Sequence, residues 1–481
     1  MEIKKEGQKI IQYLKEISEI PRASGDEKAI SDYLLKFATD RGVEAWQDEK
    51  GNFYAKKPAN GSQSGDAVIL QGHMDMVYVK KEDCPYAYEE GIKVLEDNDY
   101  LWADGTSLGA DNGAAVAYCM LLMDAKDIEH PDLEIILTVE EEIGLIGAKE
   151  SDISKFKGNK LINLDSEEEG IFTISCAGGY RTSMFWDVEK EAVPQAENYT
   201  AVEVKLTGLK GGHSGMFIDE GRANAIQLAG RMLHHMNLNY DYYIAEIDAP
   251  GKENIISKNL KMTLLVKKEE ADKICAELQA FAPVFVNEYS VTDIIDLTVE
   301  NKGEAADTKA YPKDLNKRLT AAVLLIPNGV LDHSKKIEGL VETSMNMGAI
   351  EIKDGRLHLL SSVRSSVSTR KHFLQDKLRI IGDQYADEVQ FLNEYPEWEY
   401  KEESKLRDVA CESYLTIFGR EAKVEAVHAG LECGYFYEKN PDLDIISMGP
   451  DVWDVHSTEE KISKKSITRT WGLLKEILHN L

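Results

Sequence analysis

Four short apolar runs constrain this chain most: AVIL (67–70), LEIILTV (133–139), LINL (161–164) and, far downstream, DIISM (444–448). Each has the length and the Val/Ile/Leu content of a strand buried on both faces. Between the first two lies DNGAAVAYCMLLMDAK (111–126), which has helical length and is rich in small and apolar residues. Strand, helix and strand in alternation predict an α/β fold with a parallel or mixed sheet and flanking helices. The segment Ser463–Leu478 reads as a closing amphipathic helix, so the two ends of the chain share one texture.

The middle has another. From Val188 to Asn393, strands of alternating pattern recur with helices between them. Thr200–Leu206, Leu260–Val266 and Leu357–Val363 read as strands, and Gly221–Met236, Glu269–Phe281, Leu315–Leu324 and Lys371–Tyr385 as helices. This predicts an α+β domain of two related halves. A single core stops growing at about 250–300 residues, so a chain of 481 residues divides. The expected division is residues 1–187 with 394–481 as one α/β domain, and 188–393 as a domain inserted into it.

The formal net charge of −29 repels phosphate backbones and argues against a nucleic-acid partner. The opening MEIKKEGQKIIQYLKEI reads as an amphipathic helix without the apolar core of a secretory signal, and no run of about 18 apolar residues predicts a membrane span. Six cysteines without C-x-x-C spacing read as free thiols in a reducing compartment, so the expected location is cytoplasmic.

Five segments carry chemistry: QGHMDMV (71–77), LGADNGAA (108–115), VEEEIGLIGA (139–148), NLDSEEEG (163–170) and DVHSTEE (454–460). Each sets His, Asp or Glu at the end of an apolar run or the start of a helix, where the carboxyl edge of an open α/β sheet binds its ligands. His73 and Asp75, two apart on a strand, point to one face; taken alone, H-x-D more often marks a surface His beside a carboxylate. Asp111 opening a helix is by itself a plain N-cap. Glu140, Glu141 and Glu142 lie between apolar stretches, where three carboxylates cost free energy unless something positive compensates. Asp165 ends LINL, and His456 follows DIISM and the loop Gly449-Pro450. Glu167, Glu168 and Glu169 read as solvated acids. GLKGGHSG lacks the G-K-[ST] ending of a phosphate loop.

In this order, H-x-D, G-A-D-N, E-E-x-G, L-D-S-E and a late H-S resemble the M20 metallopeptidases over nearly the whole chain, and the Xaa-His dipeptidase branch most closely. IPRASGDE (20–27), GLKGGHSGMFIDEGRANA (208–225), SSVRSS (361–366) and HAGLECG (428–434) resemble that branch too. The resemblance implies a two-domain zinc-peptidase fold with an inserted lid, and two Zn²⁺ per subunit with Mn²⁺ or Co²⁺ able to replace them. It implies His73, Asp111, Glu142, Asp165 and His456 as ligands, with Asp111 bridging, His73 paired with Asp165, and Glu142 with His456. The ions would lie about 3.5–4 Å apart, and the Asp111–Asn112 peptide would be cis. Glu141 becomes the general base toward a water bridging the ions, and Asp75 orients His73. Counting back from Gly144 fixes that register; a slip of one gives the roles to Glu140 and Glu141. In the lid, His213 would stabilise the oxyanion, Arg364 would bind a terminal carboxylate and Asn254 would touch substrate, while His428 and Glu432 lie near the site. Relatives dimerise through the lid, so a homodimer is expected.

The implied activity is hydrolysis of dipeptides, Xaa-His peptides of the carnosine type among them. Two alternatives stand beside it: an M20 deacylase or carboxypeptidase acting on N-acyl amino acids, and a non-catalytic relative that binds peptides. The large inserted domain argues against the first, and the full set of ligands and Glu141 against the second.

Overall fold

A computed structural model describes residues 2–61, 66–304 and 308–481. The chain forms two compact units. The first holds the residues through Cys176 with Trp398–Val427 and Leu431–Leu481; the second holds Ala177–Glu397 with His428–Gly430.

The first unit is built on an eight-stranded mixed sheet. Its strands lie in the order Glu44–Gln47, Phe53–Lys57, Leu133–Thr138, Val68–His73, Lys160–Asn163, Asp444–Ser447, Ile171–Cys176 and Lys423–Val427. The four central strands, Leu133–Thr138 to Asp444–Ser447, run parallel. They are the four apolar runs of the sequence, and nearly every residue in them is buried. Being parallel, they end at one sheet edge. The chain leaves that edge into Met74–Met76, Glu140–Glu142, Asp165 and the segment toward His456.

The helix Ala110–Asp124 packs on Val68–His73. Gly72 permits this approach, since a Cβ there would meet Asn112 Oδ1 at 2.4 Å and Ala115 Cβ at 2.6 Å. The opening helix Glu2–Ser18 buries Ile10, Tyr13, Leu14 and Ile17 on one stripe, against the helices Ala110–Asp124 and Lys464–Asn480. A small antiparallel sheet, in the order Val452–Trp453, Lys461–Ser463, Tyr100–Ala103 and Val94–Glu96, carries the loop with His456.

The second unit contains two larger antiparallel sheets: the first follows a β-α-β-β-α-β plan, and the second adds one strand to it, β-α-β-β-β-α-β. One has the order Tyr242–Asp248, Leu260–Lys267, Tyr199–Thr207, Asp296–Glu304; the other Gly329–His333, Val341–Lys353, Arg356–Ser365, Gly178–Trp186, Glu388–Tyr395. The first half is inserted after Gly178–Trp186, the opening strand of the second.

The division falls at 176/177 and 397/398, where the sequence suggested 187/188 and 393/394. Gly178–Trp186 pairs along its length with both Arg356–Ser365 and Glu388–Tyr395, and those pairings hold both ends in the second unit. Two helices also differ from expectation. Asn224 caps its helix by accepting the N–H groups of Ile226 and Gln227, so that helix starts at Ala225. The helix expected over Glu269–Phe281 runs from Ala271 to Gln279, and a second helix, Phe281–Tyr289, follows Ala280. Pro283, in the first turn of the second, has no N–H to continue the first and crowds the carbonyl four residues back. None of the six cysteines forms a disulfide. Among the described residues no helix is long and apolar enough to cross a membrane.

Candidate metal centre

The parallel strand ends bring together His73, Asp75, Asp111, Glu141, Glu142, Asp165 and His456. Asp111 stands in the middle. Its Oδ1 lies 3.2 Å from His73 Nε2, and its Oδ2 lies 3.2 Å from His456 Nε2. Each imidazole also meets a second carboxylate: His73 Nε2 is 3.4 Å from Asp165 Oδ1, and His456 Nε2 is 2.8 Å from Glu142 Oε1. One carboxylate therefore joins two His–carboxylate pairs, one on each oxygen. The ligating atoms of His73, Asp111 and Glu142 all fall within 4.8 Å of one another.

Backbone contacts fix these positions. Asn112 Oδ1 accepts the His73 N–H at 3.2 Å, and its Nδ2 donates to the Leu164 carbonyl at 2.8 Å, tying the ends of two strands. The Asp111–Asn112 peptide is cis. Asp75 is wholly buried; its Oδ1 lies 3.3 Å from His73 Nδ1 and accepts the Glu141 N–H at 3.1 Å. Its Oδ2 accepts from Ser24 Oγ at 2.7 Å and from the Glu142 N–H at 3.3 Å. In the acidic run, Glu142 meets His456, whereas Glu140 turns to Lys50 Nζ at 2.7 Å. Glu140 and His456 both take left-handed backbone, at φ 52° and 60°, a conformation that costs a non-glycine residue on the order of 1 kcal/mol or more.

The electrostatics describe a site short of positive charge. Burial and the nearby Asp165, Glu432 and Glu142 carboxylates push Glu141 well above the usual carboxylate range, against the pull of His73. Burial raises Asp165 to about 6. Hydrogen bonds to Asp111 and Glu142 raise His456 to about 10. Burial opposes the charge of Asp111, yet His456 and His73 hold it well below the ordinary range. Protons here do what cations would do. Two imidazoles with three carboxylates form a nitrogen-and-oxygen donor set suited to zinc and its neighbours, so the residues present fit a pair of divalent ions.

Further charged groups stand behind this set, and of them the sequence reading placed only Glu432 near the site. Glu432 is fully buried, accepts from Gln71 Nε2, and is raised by burial to about 8. Gln71 Oε1 accepts in turn from Asn163 Nδ2 at 2.5 Å. Glu167, read as a solvated acid, is indeed exposed, yet partial desolvation and the nearby Asp111 and Asp165 charges raise it to about 7. Arg22 and Glu460 are buried, like Glu432. Their signal in the sequence was their position inside segments already singled out, IPRASGDE and DVHSTEE.

The second unit gathers His213, Asn254, Arg364 and His428. Arg364 Nη1 donates to Tyr395 Oη at 2.9 Å. His428 Nε2 lies 2.7 Å from Oγ of Ser344, the cross-strand partner of Arg364. The Gly215 N–H donates to His213 Nδ1 at 3.2 Å, which leaves the proton of a neutral ring on Nε2. Burial and the Arg364 charge lower both histidines, His428 to about 3. Arg364 Nε, Asn254 Oδ1 and Ser214 Oγ are buried with no hydrogen-bond partner among the described residues.

A mixed sheet with acids and histidines gathered at its carboxyl edge, where open α/β sheets bind their ligands, defines a metal-binding α/β fold with a separate α+β unit. The sequence profile of peptidase family M20/M25/M40 matches residues 69–480, and the chain belongs to that family. It is 30% identical over 472 residues to the cytosol non-specific dipeptidase of Escherichia coli (strain K12), covering 97% of this chain and 96% of that one. It is also similar to the crystal structure of aminoacylhistidine dipeptidase from Vibrio alginolyticus, at 32% identity and a TM-score of 0.92 over 98% of this chain and 96% of that one. The aminopeptidase PepT from Bacillus cereus shares the fold, with 17% identity and a TM-score of 0.55 over 98% of each chain.

Proposed function

We propose that this chain is a di-zinc dipeptidase, acting on short peptides with a free amino end and a free carboxylate, Xaa-His dipeptides among them. The observation that carries the reading is Asp111, with one oxygen on each of two His–carboxylate pairs. His73 with Asp165 would hold one ion and Glu142 with His456 the other. Manganese or cobalt can replace zinc in a donor set of this type. Bound there, the cations would acidify a water and polarise the scissile carbonyl.

The remaining work belongs to the chain. Glu141, kept high in pKa by burial and neighbouring acids, takes a proton from the attacking water and returns it to the leaving amine. Asp75 sets the ring of His73 through Nδ1. In the second unit we assign His213 to the developing oxyanion, as a neutral ring with its proton on Nε2. Arg364 takes the terminal carboxylate and Asn254 a substrate N–H; their buried, unpaired polar atoms support a ligand there. We assign the first unit as the catalytic domain and the second as lid and dimer interface. The name of the E. coli relative supports a cytosolic location.

The test is a panel of β-Ala-His, Gly-His, Ala-Ala and an N-acetyl amino acid, assayed as purified, after chelation and after zinc add-back. Chelator-sensitive, zinc-restored release of amino acids from the free dipeptides is expected. Cleavage of the acetylated compound alone would make the chain a deacylase, and no cleavage by zinc-loaded protein would make it a binding protein.

A further inference from the structure

The Glu460 carboxylate is 2% exposed and lies next to a turn of backbone amides. Its Oε2 accepts the N–H groups of Leu108 and Gly109 at 2.8 and 2.9 Å, and its Oε1 those of Ala110 and Asp111 at 2.8 and 3.3 Å. Four consecutive amides aimed at one point make a concavity that takes an anion; here the chain supplies its own. The fourth amide is that of Asp111, the residue that joins the two His–carboxylate pairs.

Arg22, 1% exposed, holds the same turn from its carbonyl side. Its Nη2 donates to the Gly109 carbonyl, and its Nη1 donates to the carbonyls of Met74 and Asp75 at 2.9 and 3.2 Å. Gly109 is at φ 70°, and a Cβ there would meet Arg22 Nη2 and Met76 Sδ at 2.6 Å. The turn that presents Asp111 is thus gripped on its amides by an anion and on a carbonyl by a cation, and the cation also grips the chain just after His73. Glu460 itself is set by strand register. It precedes Lys461–Ser463, which pairs antiparallel with Tyr100–Ala103, the strand leading into the turn. It also follows His456 by four residues, so one short segment carries a proposed ligand and the clamp on another.

From these contacts we infer that Glu460 is a positioning residue of the metal centre: its carboxylate, opposed by Arg22, sets the Asp111 turn against His73 and His456 and so determines cation affinity. The inference rests on the reading of Asp111 as bridging ligand. A carboxylate is needed because it accepts on both oxygens. In Glu460→Gln the amide nitrogen would face two N–H donors, and that half of the turn would move away.

The experiment measures zinc affinity of the chelated protein by competition with a chromophoric chelator, and the visible spectrum of the cobalt-loaded protein, without substrate. The variants are Glu460→Gln and, as control, Glu134→Gln. Glu134 is also buried and accepts backbone amides, those of Lys157 and Gly158, but it stands near the start of its strand, at the end away from the centre. Glu460→Gln is expected to weaken affinity for at least one ion by about 10–100-fold and to alter the cobalt spectrum, while Glu134→Gln matches wild type in both. If Glu460→Gln does not fold, Glu460→Asp, one methylene too short to reach all four amides, is read in the same way. Wild-type affinity and spectrum in the Glu460 variant, or an equal loss in the Glu134 control, would overturn the inference. Failure of the wild-type protein to bind two ions would instead overturn the di-zinc reading beneath it.

Discussion

Replacing Glu141 by Gln keeps the size of the side chain and removes its capacity to take a proton. The contact that Glu141 makes to the metal-centre scaffold is through its backbone N–H, which donates to Asp75 Oδ1 and survives the change. Its carboxylate is not among the groups that join the two His–carboxylate pairs, so both ions should stay. What is lost is the proposed base, worth on the order of 10²–10⁴-fold in rate, or about 3–6 kcal/mol at about 1.4 kcal/mol per factor of ten. The assay is release of amino acids from a dipeptide, with metal content measured on the same samples. The pH profile supplies a second readout. A base works only when deprotonated, so kcat/KM of the wild type falls as pH drops through the Glu141 pKa. Burial and neighbouring acids raise that pKa, and bound cations draw it down, so the acid limb lies below its cation-free position. The limb should be missing from the residual activity of Glu141→Gln. Turnover near wild type with both ions bound would refute the base assignment, and loss of metal with activity would make Glu141 a ligand.

Three further outcomes follow from the geometry. His456 without cations is raised to about 10 and carries a proton at neutral pH, so metal must expel it; affinity should rise with pH by about tenfold per unit for each proton displaced, and calorimetry in buffers of different ionisation enthalpy should detect proton release, whereas pH-independent affinity would be inconsistent with protonated ligands. Gly72→Ala drives a Cβ to 2.4 Å from Asn112 Oδ1; overpacking of about 1–3 kcal/mol should appear in thermal unfolding, together with weaker metal binding because Asn112 holds the His73 N–H. Arg364→Met should raise KM for dipeptides by about 10–150-fold, the equivalent of a charged hydrogen bond of about 1.5–3 kcal/mol, and leave dipeptide amides unaffected; a variant that still prefers the free carboxylate would remove Arg364 from substrate recognition.

What was legible in the sequence was whatever depends on neighbours along the chain. The central parallel strands announce themselves because a strand covered on both faces is apolar throughout, and His73, Glu142 and Asp165 are conspicuous because each follows such a run. The helix of small residues after Asp111 is visible for the same reason. Long-range pairing is not visible. Gly178–Trp186, GGYRTSMFW, opens with two glycines that gave no strand signal; a Cβ at Gly178 would meet the Glu397 amide nitrogen at 2.4 Å, a neighbour more than 200 positions away. Glu460 grips amides about 350 positions upstream, and backbone amides leave no trace in side-chain patterns. Glu169 shows the same limit from the other side, since a run of three acids reads as solvated until the fold buries one of them, here against Arg469.

These supports bear on what happens when the metal is taken away. Asn112 ties two strand ends, Glu460 and Arg22 hold the Asp111 turn from opposite sides, and Asp75 joins His73 to the amides of Glu141 and Glu142. None of these contacts needs a cation. Protons on the histidines and on the raised carboxylates offset the charge meanwhile. Chelation should therefore leave a folded protein that unfolds cooperatively, lower in stability by the binding free energy alone, about 2.7 kcal/mol per ion at a free concentration 100 times Kd. Zinc add-back should restore activity as fast as the ion binds, without a refolding phase. Loss of far-ultraviolet circular dichroism on chelation would mean that the cations build the centre, and the positioning roles of Asn112, Arg22 and Glu460 would fall with that result.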